Sequence, residues 1–249
     1  MILLIDIGNT RVKWATLTRG KLGRMRAALH DRAPKSMAAL VRRAPRSVER
    51  VVVVNVAGTT LARALNAAVR RRFAVMPEYI RSSRAAGGVR NGYAETWRLG
   101  VDRWVGVIGA HALARGRAVV VANAGTALTV DAVSAAGRHL GGAIVPGPAA
   151  MIASLLAGTH GIGRRARGGT ASARRLLAGD TASALAAGAV FAGAAFVDRA
   201  AREAARALRV KPVLFLTGGA APALARRLEC PVRVVPDLVL RGLASLATA

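Results

Sequence analysis

Leu3-Leu4-Ile5-Asp6-Ile7-Gly8-Asn9-Thr10-Arg11-Val12-Lys13-Trp14-Ala15 lies near the start of the chain, and the pattern returns at Val120-Val121-Ala122-Asn123-Ala124-Gly125-Thr126-Ala127-Leu128-Thr129-Val130-Asp131-Ala132. Each copy has an apolar strand, a polar residue at Asp6 or Asn123, a glycine two positions on and a β-type continuation. A strand, tight turn and returning strand used twice predicts two related halves facing one cleft. A third glycine turn, Thr217-Gly218-Gly219, follows the apolar segment Val213 to Leu216 and precedes a helix.

Outward from these turns the pattern alternates. A helix is expected around 35–44, a valine-rich strand at 51–54, a helix near 60–72 and a short strand around 74–80. A loop from Ser82 to Asn91 leads to Tyr93 and to an apolar helix opened by Leu99-Gly100-Val101-Asp102-Arg103 and running to about Ala114. Strands at Ala118 to Ala122, Leu128 to Val133 and Gly141 to Gly147 precede a long helix of small residues from about Asp180 to Leu208. The alternation defines an α/β protein. On the long helix Ala184, Gly188 and Ala192 recur every four residues, a face another helix can approach closely, at a domain junction or in a dimer.

The 249 residues suffice for one large or two small domains with a core, and 53% hydrophobic composition argues for a folded chain despite a net charge of +26. All but four of the 38 basic residues are arginines, spread through alanine-rich helical stretches. That field could attract a polyanion. Aromatic residues, only 4% of the chain, do not interleave with the arginines as stacking platforms, so solvated helix faces are favoured over nucleic-acid binding. A single cysteine, Cys230, excludes an intramolecular disulfide and fits a reducing, cytoplasmic setting. The opening segment has no basic region before its apolar residues, so export is not expected. The uncharged runs Leu140 to Thr159 and Thr181 to Val197 are broken by prolines or rich in alanine and glycine, and are expected to be buried protein rather than membrane spans.

Glycine turns at strand ends present backbone N–H groups to phosphate oxygens without an intervening side chain. Neither the phosphate-loop pattern ending in Gly-Lys-Ser/Thr nor the dinucleotide pattern Gly-x-Gly-x-x-Gly follows a strand here. The histidines, at 30, 111, 139 and 160, show no paired spacing, and no Gly-x-Ser-x-Gly elbow supports triad hydrolysis. Three acids stand out, Asp6, Asp102 and Asp131, each within or beside an apolar element where a bare carboxylate is costly. Asp102 alone would read as a helix N-cap. A carboxylate that accepts a hydroxyl proton, with turns holding cation-bound phosphates, suits phosphoryl transfer. The residues therefore point to a small-molecule kinase or related nucleotide enzyme.

Asp6-Ile7-Gly8-Asn9-Thr10, Asn91-Gly92-Tyr93, Leu99-Gly100-Val101-Asp102-Arg103-Trp104, Gly125 to Asp131 and Gly141-Gly142-Ala143-Ile144-Val145-Pro146-Gly147 occur in that order. Together they resemble type III pantothenate kinase. The resemblance implies an actin-like ATPase fold, that of acetate and sugar kinases, Hsp70 and actin, with two duplicated ribonuclease H-like domains around a cleft. The domains are expected at 1–115, with the first phosphate loop, and 116–249, with the second phosphate loop and an adenosine turn. The implied reaction is ATP-dependent phosphorylation of pantothenate to 4′-phosphopantothenate in coenzyme A synthesis, by a cytoplasmic homodimer using magnesium. The competing expectation is a non-catalytic regulatory or nucleic-acid-associated relative that keeps the fold.

The resemblance also implies roles. Asp6, Ile7, Gly8, Asn9, Thr10, Arg11, Val12 and Lys13 form the first ATP loop, with Asp6 near the metal, and Thr126 contacts ATP from the second. Asp102 is the base. Tyr93, Gly100, Val101, Asp102, Arg103 and Thr181 meet pantothenate, Arg103 pairing with its carboxylate, while Thr159 belongs to the partner subunit's side. Where the family commonly has Asp beside a potassium or ammonium ion, this chain has Asn123, which keeps an oxygen ligand but no charge. Weak or no dependence on a monovalent cation is expected.

Overall fold

The computed structural model describes residues 1–31, 33–168 and 171–248. Two compact units are present: Met1–Gly116 with Ala135–His139 and Asp237–Ala249, and Arg117–Ser134 with Leu140–Pro236.

In the first unit β1 (Ile2–Ile7), β2 (Arg11–Thr18), β3 (Lys21–Leu22) and β4 (Arg26–Leu29) precede α1 (Pro34–Arg42), followed by β5 (Arg50–Asn55), α2 (Thr59–Phe73) and β6 (Glu78–Tyr79). The sheet order is β3-β2-β1-β5-β6, with β4 also on β2. β1 runs antiparallel to β2 and parallel to β5. β1 and β5 are almost uninterrupted apolar runs because both faces are covered. Leu3, Ile5, Ile7, Val51 and Val53 pack with Met37 and Leu40 of α1 and Leu61 and Leu65 of α2. Leu4, Val52 and Val54 are of opposite parity and equally buried. The helices meeting the sheet in addition to α1 and α2 are α3 (Val101–Ala114) and the C-terminal helix Leu238–Ala247.

That last helix was expected in the second domain. It belongs to the first unit because it crosses α3 through glycines: a Cβ on Gly109 would lie 2.6 Å from Leu238 O, and one on Gly242 would collide with Val105 O. A ribbon of β7 (Ala85–Ala86) and β8 (Val89–Arg90) precedes α3. Between α1 and α2, Arg42, Arg46, Arg71 and Arg72 line a cavity of about 430 Å³. Arg42 ends α1, and Arg71 and Arg72 lie in the last turn of α2, so these charges complement the helix dipoles and account for part of the basic excess.

The second unit repeats the plan. β9 (Val119–Ala124), β10 (Ala127–Val133), β11 (His139–Pro146), α4 (Pro148–Gly158), α5 (Ile162–Arg165), α6 (Thr181–Leu208), β12 (Val213–Thr217), α7 (Ala221–Ala225) and β13 (Val232–Val234) follow in sequence. The sheet order is β11-β10-β9-β12-β13. β9 is antiparallel to β10 and parallel to β12, as β1 is to β2 and β5. Asp6 and Asn123 occupy corresponding positions of corresponding strands, next to Val54 and Thr217 respectively.

By length and composition α6 could cross a membrane. Here it packs Val197 and Ala204 with Leu128, Leu214, Leu216 and Leu224. Its buried Asp198 accepts hydrogen bonds from the Glu229 and Cys230 amides at 3.0 Å each, which fixes the loop before β13. The expectation of burial fails for the run Leu140 to Thr159. Only Pro148 of α4 is buried, and Ile144, Leu155 and Leu156 are 59%, 45% and 41% exposed. An apolar run identifies a surface that avoids water, and says nothing of which partner covers it.

Candidate active site

Asp6 sits near the end of β1, opposite Lys13 across the hairpin. The residue is 7% exposed. Burial pushes its pKa up to about 6; Lys13 opposes the shift and the charge of Asp102 adds to it. Two acids therefore share one neighbourhood, and a cation placed there would relieve both the desolvation and the repulsion. Among the described residues no three His, Cys, Asp or Glu side chains cluster as a ready metal cage. The donor set fits a hard divalent ion that takes one or two carboxylate oxygens and completes its shell with phosphate and water.

Beyond Asp6 the chain turns through Gly8-Asn9-Thr10-Arg11. Gly8 N–H donates to Arg11 O at 3.0 Å, and Asn9, Thr10 and Arg11 are exposed. His30 closes the turn from the side: its Nε2 lies 2.7 Å from Gly8 O and its backbone N–H donates to Thr10 O at 3.4 Å. Ile7 and Val12, also expected in the first ATP loop, are buried strand residues flanking the turn, so their side chains serve the core.

Asp102 is the second residue of α3, not its N-cap; the cap position is Gly100. Its carboxylate adds negative charge to the first helical turn, where the helix dipole favours it. A Cβ on Gly100 would come 2.9 Å from Asp102 Oδ1, so the glycine leaves the carboxylate its place. Ser82 Oγ donates to Leu99 O at 2.7 Å and anchors the approach to the helix.

Arg103, 7% exposed, lies 5.8 Å from the Tyr93 ring centroid, and Tyr93 stacks on His139 with centroids 5.9 Å apart. Tyr93 is held from behind as well: its N–H donates to Asn91 Oδ1 at 3.0 Å, and Asn91 Nδ2 donates to Ser83 O at 3.2 Å. Any side chain on Gly92 would strike His139 O. A guanidinium, a phenol and an imidazole are thus layered beside the start of α3, a surface able to hold an anionic, partly apolar molecule.

In the second unit three glycine turns gather at the end of β9. Gly125 N–H donates to Ala127 O at 3.0 Å, leaving Thr126 exposed at the tip. Gly147 N–H donates to Thr126 O at 2.9 Å, and a Cβ there would strike Gly125 O. Gly218, at φ 97°, packs directly on Ala124. Asn123 lies just before this cluster. Thr181 and Thr159 sit on other elements: Thr181 is the first residue of α6, after the N-cap Asp180, and Thr159 follows α4 and donates to Leu155 O at 2.7 Å.

The profile of the family described as type III pantothenate kinase matches residues 2–203. The chain belongs to the type III pantothenate kinase family. It is 37% identical over 252 residues to the type III pantothenate kinase of Nitrosococcus oceani, covering 99% of this chain and 94% of that one. With the type III pantothenate kinase of Aromatoleum aromaticum it shares 40% identity over 247 residues, 99% and 98% of the two chains. Among solved structures it is similar to the ethanolamine utilization protein EutJ from Carboxydothermus hydrogenoformans, with TM-score 0.54, 12% identity and coverage of 98% and 89%. It is also similar to the ROK hexokinase from Thermus thermophilus, with TM-score 0.50, 17% identity and coverage of 99% and 98%. The fold is the actin-like ATPase fold, with its duplicated ribonuclease H-like halves, and members of this kinase family use ATP.

Sequence reasoning missed two histidines of this site. Isolated in sequence, His30 and His139 carry no spacing signal. Their places are set by the β2–β4 pairing and by the segment Ala135–His139, which packs in the first unit.

Proposed function

We propose that this chain transfers the terminal phosphoryl group of ATP to the hydroxyl of pantothenate, giving 4′-phosphopantothenate and ADP, at the entry to coenzyme A synthesis. The observation that carries this reading is a buried acid, Asp6, at a phosphate-type turn, with a second acid, Asp102, close enough to perturb it from the start of α3.

The turn from Gly8 to Lys13 receives phosphate oxygens on its backbone amides, and Lys13 adds positive charge. Thr126 contacts ATP from its own hairpin tip. Asp102 takes the proton from the attacking hydroxyl as the oxygen–phosphorus bond forms and ADP leaves. Arg103 pairs with the pantothenate carboxylate, supported by Tyr93; Gly100 and Val101 leave room for the substrate, and Thr181 and Thr159 contribute hydroxyls. Magnesium would be held by Asp6 together with the phosphates, and supplies neutralisation of phosphate charge when bound. Asn123 brings no charge to a monovalent ion, so potassium dependence is weak or absent. The apolar surface of Ile144, Leu155 and Leu156, with the small residues Ala184, Gly188 and Ala192 exposed on α6, supports a homodimer. A cytoplasmic location suits the ATP requirement and the single thiol.

The test is a kinase assay with ATP, magnesium and pantothenate, potassium being titrated into sodium-free buffer. Turnover is expected, with little response to potassium, and Asp102→Asn should lower it by ~10² or more. Unchanged turnover in that variant would remove Asp102 as base. Salt-sensitive DNA binding without ATP turnover would favour the non-catalytic alternative.

A further inference from the structure

His30 immediately follows β4, whose pairing with β2 places it opposite Thr10. It is 2% exposed, yet the residues of the turn it touches are on the surface. Its chain position is constrained: Ala33 N–H donates to His30 O at 2.7 Å, and Asp31 adopts a left-handed conformation at φ 40°. Gly8 O can only accept, so Nε2 carries the proton of the 2.7 Å bond.

Because a trans peptide is planar, its C=O and N–H point in opposite directions. Holding Gly8 O toward buried His30 therefore turns the next amide, Asn9 N–H, away from the core and toward the exposed tip. Without the donor, nothing in this contact opposes rotation of the Gly8–Asn9 peptide. A rotated peptide would present a carbonyl, and electrostatic repulsion, to an incoming phosphate.

We propose that His30 is a positioning residue for ATP: its Nε2–H bond to Gly8 O holds the Gly8–Asn9 peptide in the orientation that aims Asn9 N–H at phosphate. The inference rests on the assignment of this turn to ATP phosphates. His30 touches neither nucleotide nor acceptor; it acts through the peptide it fixes.

Three variants of the full chain separate this role from simple support of the fold. Gln reaches as far as Nε2 and carries a donor there; Asn reaches only as far as Nδ1; Ala has neither. His30→Ala and His30→Asn are expected to raise KM for ATP, and Kd for a non-hydrolysable ATP analogue, about tenfold, the effect of one lost hydrogen bond. KM for pantothenate at saturating ATP should stay within twofold of wild type, and kcat should fall less than threefold. His30→Gln should recover wild-type KM for ATP within threefold. If the alanine variant does not fold, the Gln and Asn pair carries the same comparison. The inference is overturned if folded Asn and Gln variants share one KM for ATP, or if both KM values and kcat shift together with thermal stability. A wild-type chain that neither binds the analogue nor turns over ATP would remove the role of the turn itself, whereas active wild type with an unaffected His30→Asn would remove only the role of His30.

Discussion

Asp6→Asn is a substitution whose effect on stability should change with pH. The folded Asp6 holds its proton up to about 6, against 3.8 for an unperturbed aspartate. The folded state binds that proton more tightly than the unfolded state, so the contribution to stability is fully present below 3.8 and is lost as pH rises through 6. At 1.36 kcal/mol per pKa unit, the full loss is about 3 kcal/mol, of which about 2 kcal/mol falls between roughly pH 4.5 and 8. Asparagine has no proton to lose and avoids this penalty. In thermal melts of the ligand-free chain, the stability of Asp6→Asn relative to wild type should therefore rise by about 2 kcal/mol from pH 4.5 to 8, a relative gain of roughly 4–8 °C in Tm for a chain of this size. The pH-dependent difference is the readout, because any fixed cost of changing the side chain cancels from it. The same variant should lose kinase activity, having given up the charge proposed to face the cation. A difference in stability that is constant across this pH range, or that moves in wild type's favour as pH rises, would refute the account of Asp6 as an acid ionised at a cost.

Gly242→Ala should push the C-terminal helix off α3, since its Cβ collides with Val105 O. A loss of about 1–3 kcal/mol is expected in denaturant unfolding, with reduced turnover because α3 carries Asp102, the proposed base; unaltered stability would contradict the close crossing. Light scattering of purified protein should give the mass of a dimer, and Leu155→Asp with Leu156→Asp should halve it. A wild-type monomer at micromolar concentration would leave the apolar face of α4 without its assigned partner.

The strands and turns that organise both halves were legible because their physics is local. A nearly continuous apolar run followed by a polar residue and glycine marks a strand covered on both faces that ends in a turn, at Ile7-Gly8 and again at Ala124-Gly125. Asp102 was legible as an acid at a helix start, though the N-cap position first suggested for it is occupied by Gly100. What could not be read locally was pairing across distance. The C-terminal helix belongs with α3 because two glycines far apart in sequence permit their backbones to approach. His30 and His139 gain their partners from strand register and hairpin placement, not from any neighbour in the chain. The exposure of α4 was illegible for a different reason: apolar composition is the same whether a segment meets its own core or another surface.

The crossing of α3 by the C-terminal helix has a consequence for biosynthesis. The segment carrying Asp102 leaves the ribosome long before the helix that covers it, an interval on the order of ten seconds at about 5–20 residues per second. During that time the apolar flank of α3 waits without its cover, and the second unit is translated within the gap. Folding of the first unit is consequently completed last, although its strands are made first.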